Sequence, residues 1–386
     1  MDNKNSGKII KHQQIYDDLC RDILGGVYKP GQHLPTEKEL ANHFKASRPT
    51  IAKAMRELQH KGLIVRRQGH GTFVRQSSTV QRNSIGLLVH WQIRPENYRP
   101  DNSSTIFGIM IPEILRVASR FNYSLLLNDI PEDIVDPIER ARNICKKLID
   151  ANVGGVFFTP LELEDGADST NEEIAATLHE AGIAVILLDR DITDSYHRSD
   201  YDIVGINNEQ SSLVLTHHLI DLGCRKIDFI SSPSHTTSIV DRIRGYHDAL
   251  EENDILFDSQ RVHLFDSKSL RHFDSEGPGK ELLRRIERKQ TEAFVCVNDD
   301  TASDLINFLI QNDIKVPEDV RVVGFDDLPT NQYLPVPLTT IRQPIQSLAE
   351  ESIRTMLDRI ENPKMSARDI LLKTELVVRE SCGSKL

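Results

Sequence analysis

The apolar positions near the start of the chain recur at helical spacing. Ile15, Leu19 and Ile23, with Tyr16 beside them, follow the 3.6-residue period, and Gly25-Gly26 predicts the stop. Thr36 followed by Glu39 forms a capping box before Leu40 and Phe44, which predicts a second short helix. After Lys45-Ala46, Ser47 is placed to cap a third helix, in which Ile51, Ala54, Met55 and Leu58 share one face before Lys61-Gly62 ends it. Two strand-like runs follow, Leu63–Arg67 and Thr72–Arg75. The glycines of Gln68-Gly69-His70-Gly71 between them permit the positive φ angles of a tight hairpin. Helix, helix-turn-helix and hairpin in that order predict a winged helix.

Residues 76–83 (QSSTVQRN) are polar, have no apolar period and read as a linker. From Ile85 the texture changes to short apolar runs alternating with amphipathic stretches. The predicted strands are Ile85–Val89, Ser124–Leu127, Gly155–Phe158, Ala184–Leu188, Ile203–Ile206, Ile227–Ile230, Ala293–Val297 and Arg321–Phe325. Helical patterns cover Ile106–Arg120, Pro137–Ala151, Gln210–Leu222, Arg242–Glu252, Glu281–Lys289 and Thr301–Gln311. Such alternation predicts parallel sheets covered by helices on both faces. About 300 residues of it fit two open-sheet lobes better than one. The expected fold is therefore α/β: a winged helix-turn-helix at residues 1–76, a linker at 77–83, and a two-lobed body of doubly wound parallel sheets at 84–386.

Charge sharpens this division. The chain carries a net charge of −11, yet residues 1–76 hold 14 Lys and Arg against 7 Asp and Glu, and the remainder holds 33 against 51. A basic head on an acidic body is expected where only the head meets a polyanion. The 386-residue length and 39% hydrophobic content fit a multi-domain globular protein. Neither a signal-peptide core nor a bilayer-length apolar run is present, so a cytoplasmic protein without membrane contact is expected. The cysteines at 20, 145, 224, 296 and 382 form no CxxC pair, which argues against a disulfide framework or a zinc site.

A helix-turn-helix brings the start of its second helix to base edges. In this chain that places Ser47, Arg48, Pro49, Thr50 and Lys53 at the groove. Arg48 has the chemistry for a bidentate guanine contact, and Thr50 for a phosphate or a thymine methyl. Lys53 and Arg56 point away from the apolar stripe, and the wing adds Arg66, Arg67, Gln68 and His70. One basic helix alone would describe a solvated face equally well. The capped helix, turn, second helix and Gly-rich wing together favour DNA.

The segment LPTEKELANHFKASRPTIAKAMRELQHKGLIVRRQGHGTFV resembles the GntR-type winged helix, over about residues 11–75. The resemblance implies DNA contacts at Lys38, Ser47, Arg48, Thr50, Gly69, His70 and Gly71. Ala52 stands where that family often has Arg, and Pro49 replaces a small polar residue, so the base preference is this chain's own.

In the body, GxxxxGK[ST], GxSxG and HExxH are absent and no pyridoxal phosphate lysine motif is evident, so no cofactor is expected. Asp299-Asp300 and Asp326-Asp327 are paired carboxylates of the kind glycosidases use, but they also fit the polar ends of the strands AFVCVNDD and RVVGFDD. Ligands of open α/β sheets bind outside those carboxyl ends. The segments IGLLVHW, GGVFFTP, AVILLDRD, DRIRGYHDAL, FVCVNDDTASDLI and VRVVGFDDLP, in order over about residues 85–360, resemble the LacI-type effector domain, which is related to periplasmic sugar-binding proteins. That resemblance implies effector contacts at His90, Trp91 and Phe107, at Asp189 or Arg190, and at Ser238, Arg242, Asn298, Asp326 and Gln343. Each has a plainer reading. Arg242 fits a helix-start pairing, Asn298 and Asp326 fit local backbone bonding, and Trp91 and Phe107 fit the core.

The combined resemblance implies a transcription repressor of carbohydrate-utilisation genes. It would be a homodimer on an inverted-repeat operator, released by a small sugar effector, with a pentose as the leading candidate. The alternatives are a non-catalytic sugar receptor, which has no use for the head, and a sugar-processing enzyme, which needs carboxylates at catalytic separation.

Overall fold

The computed structural model describes residues 11–24, 27–29, 31–60, 63–67, 71–74, 83–89, 106–127, 136–162, 169–193, 197–233, 236–265 and 277–384. The chain separates into two compact units, one centred on residues 1–83 and the other on 84–386.

In the first unit α1 (Lys11–Leu24), α2 (Glu37–His43) and α3 (Arg48–His60) enclose a core of Ile15, Leu19, Leu40, Ile51, Met55 and Leu58. The capping box is formed. The Glu39 amide donates to Thr36 Oγ1 at 3.3 Å, and Glu39 Oε2 accepts from the Thr36 amide at 2.7 Å. β1 (Ile64–Arg67) pairs antiparallel with β2 (Gly71–Val74), Ile64 opposite Val74. His33 extends this ribbon by a bridge to Phe73. Gly71, at φ 97°, is required there, because a Cβ would run into the His33 ring. Arg66 donates to Glu37 at 2.8 Å, fastening the wing to α2.

The second unit holds two six-stranded sheets. The first runs in the order β4 (Ser124–Leu126), β3 (Ser84–Leu88), β5 (Gly155–Phe158), β6 (Ala184–Leu188), β7 (Asp202–Ile206), β13 (Asp369–Leu372), with every neighbouring pair parallel. The second runs in the order β9 (Val262–Leu264), β8 (Ile227–Ser231), β10 (Ala293–Cys296), β11 (Arg321–Asp326), β12 (Thr339–Arg342), β14 (Glu375–Val377). Only its β12–β14 pair is antiparallel. Strands such as GVFF and AFVC are buried at every position, as sheets covered on both faces require.

In the first lobe α5 (Pro137–Asp150) and α6 (Thr170–Glu180) fill one core around Phe158, Val185 and Leu187. α4 (Ile106–Arg120) precedes β4, and α11 (Ile345–Glu361) packs on β6 and β7. In the second lobe α9 (Pro278–Glu287) and α10 (Asp299–Gln311) cover Phe294, Cys296 and Val322. The opposite face receives α7 (Asn208–Asp221) and α8 (Thr237–Glu251), with the Tyr246 ring 5.4 Å from that of Phe229. The chain passes between the lobes three times: at Asn207 between β7 and α7, at Gln343-Pro344 between β12 and α11, and at Lys373-Thr374 between β13 and β14.

Several helices begin before the apolar pattern predicts. α7 starts at Asn208 rather than Gln210, α8 at Thr237 rather than Arg242, α9 at Pro278 rather than Glu281, and α10 at Asp299 rather than Thr301. The first turns of α7 and α10 are polar because Asn207 and Asn298 cap them. α6, β9, β12, α11, β13 and β14 are additions to the predicted elements.

Gly245 in α8 lies against α7, where a Cβ would meet the Glu209 carbonyl oxygen. Gly245→Ala should therefore cost about 1–3 kcal/mol through forced separation of the two helices. A thermal denaturation midpoint unchanged by the substitution would contradict that packing.

Candidate functional site

In the head, Lys38, Ser47, Arg48, Pro49, Lys53 and Arg56 are exposed and Thr50 is half-buried. The Thr50 amide bonds the Ser47 carbonyl at 3.0 Å, and the two hydroxyls are 2.7 Å apart, which fixes the start of α3. The exposed residues there face away from Ile51, Ala54 and Met55, leaving a polar and cationic helix end available to a polyanion. Arg66 is engaged by Glu37 and so is not a free contact of the wing. Gln68, Gly69, His70 and the Arg67 side chain lie outside the described residues, as do His90 and Trp91 in the body.

Arg242, Asp326 and Gln343 come together at the carboxyl end of β11, and Asp189 and Arg190 lie at that of β6. Arg242, 7% exposed, is held on several edges. Its Nε donates to Asn208 Oδ1 at 2.9 Å and its Nη1 to the Val297 carbonyl at 2.5 Å. Its Nη2 is 3.9 Å from Asp326 Oδ1, and the guanidinium lies 3.7 Å from the centre of the Phe325 ring. Asp326 accepts from Gln343 Nε2 at 2.8 Å, and both are buried. Burial pushes the Asp326 carboxyl well above the ordinary carboxylate range; Arg242 opposes this, while Asp299 and Asp189 reinforce it. The contribution of Asp189 links the two lobes electrostatically at this point.

From the first lobe, buried Arg190 donates to Glu162 at 2.7 Å, and its Nε is 3.3 Å from Asp189 Oδ2. Burial works against its charge, and the two carboxylates more than restore it. The Asp191 amide donates across the cleft to Thr237 Oγ1 at 3.0 Å. Ser238 is buried in the first turn of α8, and Phe107 in the first turn of α4.

Asn298 is engaged locally. Its Oδ1 accepts from the Thr301 amide at 2.9 Å as the cap of α10. The paired carboxylates are similarly committed. Asp299 accepts from Thr340 and Asn331 at 2.6 Å and from the Leu328 amide at 2.9 Å. Asp327 pairs with Arg342 and Arg379, each at 2.6 Å. Glu162 and Asn208 were missed from the sequence. No motif marks either residue, and only folding brings each to an arginine.

Backbone conformation singles out the same strand ends. Lys45, Asn122, Asn152, Lys289 and Asp313 have positive φ two residues beyond a helix, and Asp254 three residues beyond one, the usual left-handed stop. Asp189 (72°), Asp326 (125°) and Asp327 (55°) have it at strand ends, where no helix stop calls for it. Such positions cost about 1–3 kcal/mol each and are concentrated at ligand sites.

Two family descriptions match the chain: bacterial regulatory proteins of the gntR family over residues 11–74, and a periplasmic binding protein-like domain over residues 216–382. Over 379 residues the chain is 27% identical to the arabinose metabolism transcriptional repressor of Geobacillus stearothermophilus, covering 96% of this chain and 97% of that protein. The solved complex of the transcriptional regulator CelR with cellobiose superposes with a TM-score of 0.65 at 22% identity, covering 90% of this chain and 100% of that one. A LacI family transcriptional regulator from Enterococcus faecium with bound ribose gives 0.58 at 21% identity, covering 77% and 98%. These structural likenesses show the fold of the body. No described helix is long and apolar enough to cross a membrane.

The raised pKa of Asp326 has a measurable consequence. The folded body holds this proton more tightly than the unfolded chain, so its stabilising effect is full below about pH 4 and is lost as pH rises through the native value. Asp326→Asn should flatten the fall in melting temperature as pH rises above the ordinary carboxylate range. Equal slopes for wild type and variant would show that Asp326 ionises as an exposed carboxylate does.

Proposed function

We infer that this chain, a GntR-type winged-helix head joined to a periplasmic-binding-protein-like body, is a transcription repressor of sugar-utilisation genes that a small carbohydrate removes from its operator. The observation that carries the reading is the presence of two complementary surfaces in one chain. The head begins α3 with exposed Ser47, Arg48, Pro49 and Lys53, and the body lines a cleft with buried Arg190, Arg242, Asp326 and Gln343. Carbohydrates, dense in hydroxyls, are matched by such alternating donors and acceptors.

The protein works as a homodimer whose two heads address the half-sites of an inverted repeat. Residues 1–76 form the reader, 77–83 the tether and 84–386 the sensor and dimerisation domain. A pentose is the leading effector, by analogy with the arabinose repressor and the ribose-bound regulator. It bonds the strand-end groups of both lobes, favours their closed arrangement and thereby lowers operator affinity. Asp189, Arg190, Ser238, Arg242, Asp326 and Gln343 supply its polar contacts, with His90, Trp91 and Phe107 as the apolar and aromatic wall. Asn298, the cap of α10, contributes from the start of that helix. The protein performs this role in the cytoplasm and without catalysis.

Operator binding tests the first half. Electrophoretic mobility shift on duplexes from the protein's own promoter region should show a specific complex, and Arg48→Ala should weaken it by about 1–3 kcal/mol, roughly 5- to 150-fold. Failure of the wild-type chain to bind would end the repressor reading. Thermal shift with L-arabinose, D-ribose and D-xylose tests the second half, since a ligand of the folded state raises its melting temperature. Arg242→Ala should abolish the shift and leave operator binding intact; an undiminished shift would remove Arg242 from the site.

A further inference from the structure

We propose that Asn208 is the positioning residue that couples effector occupancy to movement of the lobes, holding Arg242 to the first inter-lobe crossover. The proposal rests on the sugar-sensing reading above. Asn207 and Asn208 are adjacent at this crossover but have different tasks. Asn207 Oδ1 accepts from the Gln210 amide at 2.9 Å and caps α7. Asn208, 4% exposed, is not needed for the cap. Its Oδ1 reaches 34 residues along the chain to accept from Arg242 Nε at 2.9 Å.

The same first turn of α7 touches another crossover. Ser211 Oγ lies 2.8 Å from the Thr374 hydroxyl, in the segment that returns the chain from the first lobe to the second. The remaining crossover carries Gln343, which donates to Asp326. Among the described residues, all three passages between the lobes are thus joined by polar bonds to the cleft or to α7, whose Asn208 bonds Arg242. Apolar contacts slide by fractions of an ångström at little cost, whereas a buried hydrogen bond loses its geometry abruptly. A ligand that shifts the Arg242 guanidinium toward itself therefore pulls on the first turn of α7 through Asn208.

A purely structural role, satisfying a buried guanidinium, predicts loss of stability or of sugar affinity alone. The coupling role predicts loss of the response at saturating sugar. The sugar used is whichever of L-arabinose, D-ribose and D-xylose stabilises the full-length wild-type chain most. Operator affinity is measured without it and with it at saturation for wild type, Asn208→Leu, Asn208→Ser and Asn208→Asp. The ratio of the two affinities should fall about tenfold in Asn208→Leu, with sugar-free operator binding unchanged. Asn208→Asp, which keeps an acceptor for Arg242, should restore the ratio. If the leucine variant does not fold, the serine variant, too short to reach Nε, carries the same expectation. A full ratio in either variant at saturating sugar overturns the proposal, as does an aspartate variant that fails to restore it. Wild-type protein that binds operator but ignores every sugar defeats the sensing reading itself, and this proposal with it.

Discussion

A guanidinium buried in a protein interior must be answered on each of its edges, and the cleft is built around answering Arg242. Asn208, the Val297 carbonyl and Asp326 meet its nitrogens while the Phe325 ring covers its face. These partners come from the start of α7, the end of β10 and the end of β11, so one side chain fixes the relative height of three elements. Tyr246, four residues along α8, is fully buried and donates to the Ile227 carbonyl at 2.8 Å, and Gly245 lets α8 settle against α7. The run RIRGY therefore contains the buried cation of the cleft, the residue that allows close helix approach and the anchor to β8.

Other buried charges in the body are resolved differently. Asp228, fully buried on β8, accepts from Arg261, His263, Arg285 and Thr291, and its carboxyl is held below the ordinary range by His263 and Arg285 despite its burial. Asp202 on β7 accepts from Arg359 and from the Arg368 amide. Both are complete, and they act as rivets between strands and neighbouring segments. Asp326 has one hydrogen-bond donor at 2.8 Å, a cation at 3.9 Å and a carboxyl pushed upward. A carboxylate left short of donors inside a protein has capacity for hydroxyls. The rivets and the cleft carboxyl are thus told apart by how fully each charge is compensated.

Much of the fold was legible because parallel strands buried on both faces leave uninterrupted apolar runs. GVFF, AVILL and AFVC could hardly be placed otherwise. The outer strands DILL and ELV were not legible, since each is short and partly exposed and takes its place from the strand beside it. Helix starts were read too late for a related reason: NEQSS and DDTAS are polar first turns whose residues cap or bond, and periodicity sees only what is apolar. In the cleft, Arg242 and Asp326 were marked by motif and by position at strand ends. Asn208 and Glu162 carry no local signature. Asn298 was ambiguous from sequence, and its engagement as a helix cap is a fact of backbone geometry that residue identity alone does not fix.

The polar groups that line the cleft already bond one another: Arg190 with Glu162, Arg242 with Asn208, Asp326 with Gln343. Apart from the unfilled acceptor capacity of Asp326, the hydroxyls of the proposed sugar would exchange with these bonds rather than add to an empty set. Exchange yields little net free energy per contact, so the affinity of the proposed sugar would come from the number of hydroxyls engaged at once. It also means that each bond gained by a ligand is a bond loosened elsewhere, on residues attached to the crossovers. In an arrangement of pre-bonded partners, binding and rearrangement would be parts of one exchange, which is how the proposed sugar would favour one lobe arrangement over another.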